Sequence, residues 1–219
     1  MDPDVYAIAA EQIIQSGHTG LIDSGFYSQA PLFPLLSAVS SMVTGLSASE
    51  GMVVFPLLSG IITCLFAYLI GRVVTTQKAG LVAAALAAVA ADITLSGYLP
   101  IAQTLAIFGF VTAIYLFQRY FSTQSTSAKR PFLTGFVILV IALLFTHRLP
   151  LFIFILFVGG LFVASSIPRI LPFPSPFPSS KVTLIVLGII FVCLFIVQYV
   201  YLTTYVSVLA GSFFSLIVD

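Results

Sequence analysis

Residues 50–73 read EGMVVFPLLSGIITCLFAYLIGRV, a run bounded by Glu50 and Arg72 with no charged residue between them. About 20 apolar residues is the length an α-helix needs to cross the hydrocarbon core of a bilayer. The run is apolar on every face, whereas a membrane β-strand would alternate in polarity over a shorter segment. The stretch therefore predicts a transmembrane helix, and the rest of the chain repeats its pattern.

Across 219 residues the chain is 60% hydrophobic and 7% charged, with a mean hydropathy of +1.17. Soluble domains carry about 25% charged residues, because a small fold has a large surface to cover. The fold class is all-α: a polytopic helical membrane protein. Net charge is +1, so nothing points to nucleic-acid binding, which demands clustered basic residues. There is no Asn, so N-glycosylation is excluded. The start lacks the basic n-region and apolar h-region of a cleavable signal peptide. Cys64 and Cys193 sit in mid-run among apolar residues and read as small packing thiols.

Six spans are expected, at 50–73, 79–96, 99–120, 131–147, 149–166 and 182–205. A seventh apolar run, 31–46 (PLFPLLSAVSSMVTGL), is short for a crossing and suits a re-entrant or interfacial helix. Pro31 and Pro34 fit its first turn, where no backbone donor is lost. Basic residues set orientation. Arg72 and Lys78, then Arg119, Lys129 and Arg130, then Arg169 and Lys181 mark alternate connections, which become the cytoplasmic ones. STQSTSAKR (122–130) reads as a polar loop, and the proline-rich 167–181 as an extended cytoplasmic spacer. Within 79–96 the lines Gly80, Ala84, Ala88 and Ala83, Ala87, Ala91 permit close helix approach in lipid, so this helix is expected to be central in the bundle.

The opposite, extracytoplasmic side then holds an acidic loop over 1–49, ahead of the bundle at 50–219. In DPDVYAIAAEQIIQSG (2–17), Asp4 is a candidate helix N-cap and Gly17 a stop. Val5, Ala9 and Ile13 line one face of that helix, and Glu11 and Gln15 another. Asp2 and Asp4 stand either as caps or as a general base or metal ligand. Asp92 falls in the last turn and a half of its span, and acids in membrane segments are functional candidates. His147 and Arg148 share a turn on the same side, where an Arg can hold a phosphate through paired donors or simply snorkel to the interface.

The order of these elements resembles the GT-C superfamily of integral-membrane glycosyltransferases, which includes protein O-mannosyltransferases, aminoarabinose transferases and oligosaccharyltransferases. DPDVYAIAAEQIIQSG is similar to that family's acidic residues before an interfacial helix, and YSQAPLFPLLSAVSSMVTGL to its second, proline-rich interfacial helix. FPLLSGIITCLFAYLIGRVV, AGLVAAALAAVAADI and SGYLPIAQTLAIFGFVTAIYLFQRY follow as its next spans. The likeness covers about 1–120, with 121–219 matching by hydropathy.

The resemblance implies a GT-C-like fold of about six transmembrane helices plus two outer-face interfacial helices. It also implies transfer of a sugar from a polyprenyl-phosphate-linked donor to an acceptor on the extracytoplasmic side. Asp4 or Asp2 would deprotonate the acceptor, or Asp4 would hold a divalent ion, Mg or Mn, as in the metal-dependent branches. Arg148 and His147 are the candidates for the lipid phosphate, chosen by position and chemistry. Where the family places a second acid after the proline of the next outer turn, YLPIAQ offers Gln103, with Asp92 upstream. The family also places a span before the acidic loop and carries more spans and a larger outer region, so a fragment, the N-terminal part of such an enzyme, is expected here. Two alternatives stay open: a non-catalytic GT-C-like subunit or scaffold of a larger membrane complex, and a small transporter.

Overall fold

The computed structural model describes residues 3–19, 31–90, 101–147, 149–166 and 180–201. Among these residues there is no strand, and the backbone is organised into helices. In lipid every backbone N–H and C=O must be satisfied within the protein, which a helix does inside its own segment. The helices are α1 (Pro3–Ser16), α2 (Leu32–Thr44), α3 (Ala48–Gly51), α4 (Val54–Val74), α5 (Gln77–Val89), α6 (Ala102–Ser122), α7 (Thr126–Leu144), α8 (Leu149–Ser166) and α9 (Lys181–Tyr201).

Four stretches are long and apolar enough to cross a membrane: Ala48–Val74, Ala102–Ser122, Thr126–Leu144 and Lys181–Val200. Helices α4, α6 and α9 have 21 residues each, about 31 Å at 1.5 Å per residue. Leu32–Thr44, Gln77–Val89 and Pro150–Ala164 are shorter apolar helices. The chain is thus a helical membrane protein.

Polar ties fix the helix directions. Ser59 Oγ donates to the Thr104 carbonyl (3.0 Å), and Gln118 Nε2 donates to the Ile70 carbonyl (3.3 Å). These bonds join start to start and end to end, so α4 and α6 run parallel. Helix α7 returns antiparallel to α6, with Phe117 and Phe136 rings 5.4 Å apart. The main core lies among α6–α9, where Phe136, Phe154 and Phe191 are buried alongside Leu143, Leu151 and Leu184. Helix α5 packs on α4.

Several expectations change. The polar loop at 122–130 shrinks, because Ser125 is the N-cap of α7 and residues 126–130 are helical. Pro131 sits inside that helix, and contacts across the hairpin (Arg119 to Phe132, Lys129 to Tyr120) brace the added turn. Helix α5 is peripheral, not central, among the described residues. Only Gly80 of it is buried, since its small residues serve one interface while Leu81, Val82, Leu86 and Val89 face outward. Cys193 is exposed rather than packed inside, on the outer face of α9 with Ile189 and Ile196. The proline-rich segment falls outside the described residues over 167–179, as does the continuation of the second expected span at 91–96.

Candidate functional site

The acidic end of the molecule is built from α1, α2 and α3 laid against the starts of α4 and α6. Helix α1 begins at Pro3, a residue suited to the first helical position because its missing N–H has no intrahelical role there. Asp4 therefore lies inside the first turn rather than at the cap, where its charge complements the helix dipole. The buried stripe is Tyr6, Ala9, Ala10 and Ile13, the i, i+3, i+4, i+7 spacing of one helix face. Val5, expected on that face, is 37% exposed. Gly17 stops the helix with φ +73°, its N–H donating to the Ile13 carbonyl at 2.8 Å; this left-handed conformation favours glycine.

Helix α2 has 13 residues, about 20 Å of length, and ends at Gly45 in the left-handed region with its N–H on the Ser41 carbonyl. Its inner face carries Phe33, Ser37, Ala38 and Ser41. Both buried serines are satisfied, Ser37 Oγ by the Phe33 carbonyl and Ser41 Oγ by the Leu46 carbonyl. The outer face carries Leu35, Val39, Met42 and Val43, the last 81% exposed. A helix with hydroxyls inward and aliphatics outward is made for an apolar surround. Ser47 and Glu50 then close a capping box that starts α3.

Ring contacts join these pieces. Tyr6 meets Phe33 edge-on at 5.1 Å, and Phe33 meets Phe55 at 5.5 Å. Tyr6, Phe33, Met52 and Ala102 form one buried cluster. This brings the first turn of α1, which bears exposed Asp4, beside the first turn of α6, which bears half-buried Gln103. The turn after α7 arrives at the same end. The Leu32 N–H donates to the Phe145 carbonyl at 3.0 Å, and Gln198 Nε2 donates to the carbonyls of Leu144 (2.8 Å) and His147 (3.4 Å). His147 is half-buried in that turn.

An apolar cleft of about 170 Å³ opens between these elements, walled by Leu32 and Leu36 of α2, Leu105 and Phe108 of α6, and Leu139 and Leu143 of α7. Thr146, one residue before His147, reaches its edge. Asp4, Gln103 and His147 thus share one end of the molecule. Asp2, Asp92 and Arg148 lie outside the described residues. Among the described residues no three His, Cys, Asp or Glu side chains converge as metal ligands, so those present do not make up a divalent-ion site around Asp4.

Sequence reasoning passed over Gln198. It is fully buried and holds the 144–147 turn, while its Oε1 has no hydrogen-bond partner among the described residues. The signal was available, since Gln198 is the one amide in an apolar run. Compared with protein-family models, curated proteins and solved structures, the chain shows no significant match to any. What the fold and site define is a class: a polytopic helical membrane protein with short helices folded over one end of its bundle.

Proposed function

We propose that the chain is a GT-C-type membrane glycosyltransferase, or part of one, that moves a sugar from a polyprenyl-phosphate-linked donor to an acceptor on the extracytoplasmic side. The observation that carries this reading is the joint placement of Asp4 and His147 at one end, beside an apolar cleft under α2. A polyprenyl chain lies in the apolar cleft, and its phosphate sits at the 145–147 turn. His147 and the neighbouring Arg148 neutralise that phosphate as it departs. Asp4, exposed in the first turn of α1, accepts the proton of the acceptor hydroxyl while the oxygen attacks the anomeric carbon. Six spans with the 1–49 loop outside complete the arrangement. In the metal-dependent branches a divalent ion would supply charge stabilisation.

The test is transfer from a panel of polyprenyl-phospho-sugars in proteoliposomes holding the full chain. Asp4→Asn should lower turnover by about 10²–10⁴-fold, the usual worth of a positioned general base. Donor binding should stay unchanged, because the carboxylate serves the acceptor. Unaltered turnover in Asp4→Asn removes the residue from catalysis, and no transfer by the wild-type chain assigns it to the non-catalytic subunit class.

A further inference from the structure

Opposite the acidic end, six cations gather where α4 and α6 finish and α5, α7 and α9 begin: Arg72, Lys78, Arg119, Lys129, Arg130 and Lys181. The described acids, Asp4, Glu11 and Glu50, all lie at the other end. None of the six cations is engaged in an ion pair among the described residues. Arg72 and Arg119 occupy last helical turns, where positive charge is favoured. Lys78, Lys129 and Lys181 do the opposite. They stand in the first turns of α5, α7 and α9, none of which has an acid there. Cations at a helix N-terminus face the positive end of its dipole and repel it. Three such helix starts at one end of the bundle, with no carboxylate there among the described residues, leave a positive potential that an external anion would relieve.

The hairpin between α6 and α7 is where that anion fits best. Arg119 and Lys129 are each laid over an aromatic ring of the facing helix, the Arg119 guanidinium 5.4 Å from Phe132 and the Lys129 ammonium 5.7 Å from Tyr120. Both are held to the same short connection. Arg119 Nε is buried without an acceptor. The neighbouring helix starts are capped by side chains, Thr76 accepting from the Ala79 N–H and Ser180 from the Thr183 N–H. Helix α7 has no side-chain cap, and the hydroxyl of Ser125 turns instead to Ser127. Its first N–H groups, two cations and two hydroxyls therefore share one short hairpin, the donor set an oxyanion requires.

We infer that the α6–α7 hairpin binds the phosphate of an anionic phospholipid headgroup. A lipid is the occupant because the flanking surfaces are lipid-facing: Leu133, Val137 and Ile138 of α7 are exposed immediately beyond the cations. Acyl chains would run along these aliphatics while the phosphate accepts from Lys129, Arg119 and the α7 amides, and exposed Arg130 adds its charge beside them. This site is at the far end of the bundle from Asp4 and does not depend on any reading of that end.

The experiment is native mass spectrometry of the full chain from neutral detergent, titrated with phosphatidylglycerol or phosphatidylcholine. Phosphatidylglycerol should bind more tightly. The double variant Lys129→Gln/Arg130→Gln should weaken it by about 25-fold, at about fivefold per cation, and leave phosphatidylcholine unaffected. Arg130 is exposed and Lys129 half-buried, so the variant keeps the packed core. Glu11→Gln, at the other end, should change neither lipid. Equal affinity for the two lipids, or an unchanged preference in the double variant, would overturn the inference. Displacement of the lipid by an equal concentration of inorganic phosphate would overturn it too, by making this a free-anion site.

Discussion

Between α4 and α5 backbone meets backbone, whereas in the core of α6–α9 rings meet rings. A Cβ built on Gly80 would stand 2.6 Å from the Tyr68 carbonyl oxygen, and one on Gly71 would stand 3.0 Å from the Gly80 Cα. In the other region Phe154 stacks on Phe191 at 4.9 Å with planes 2° apart, and meets Phe110 edge-on at 4.8 Å. Lipid tails are as apolar as leucine, so helices in a bilayer gain little from burying apolar surface against each other. What remains is the number of atoms brought to contact distance. Two glycines achieve this by removing side chains, and phenylalanines achieve it by filling the space with flat ones. The glycine seam has almost no tolerance, because its neighbours are main-chain atoms that cannot rotate away.

The sharpest way to break this contrast is to add volume to the seam. Gly80→Val should cost ~3 kcal/mol, the upper part of the range for overpacking, because its methyls meet the α4 backbone. The measurement is the unfolding midpoint in mixed micelles, alongside loss of α4–α5 cross-linking. Removing volume from the ring cluster comes next. Phe154→Ala should cost ~2 kcal/mol, below the 3–5 kcal/mol of water-soluble cores, since a lipid-exposed reference state already shelters the ring. Phe154→Leu should cost less than half of that, whereas even Gly80→Ala should register clearly. Equal responses of the two regions to matched changes in volume would dissolve the distinction. The smallest effect should come from Gln198→Leu, at under ~1 kcal/mol, because interhelical hydrogen bonds in membranes average about 0.6 kcal/mol. Its main readout is the His147 turn, where backbone amide exchange should accelerate.

Helices α1 and α2 at the acidic end were the most legible part of the sequence, whereas α3 was not separated from the span that follows it. Gly17 marks a stop by backbone chemistry and Pro31 a start, and the structure adds Gly45, which takes the same positive φ at the end of α2. The basic residues were equally readable as helix-end markers. Less readable was the first turn of α7, because SAKR alone suits a loop or a helix, and only the facing rings of Tyr120 and Phe132 decide between them. The site was legible in part. Asp4, Gln103 and His147 could be named from the chain, but Gln198, which secures the His147 turn from 51 residues away, could not be linked to it.

The sequence by itself determined that this is a helical membrane protein with its described cations and acids at opposite ends. Runs of apolar residues allow no other way to satisfy the backbone in lipid, and charges are confined to where the runs stop. Only the tertiary structure decided which faces meet: α5 at the edge, α6–α9 around the phenylalanines, and α1 and α2 folded over the starts of α4 and α6. The reason is that in a bilayer the outward face of a helix is as apolar as its inward face. The periodic contrast that reveals the buried side of a soluble helix is absent, and the shapes of the side chains have to settle the matter in three dimensions.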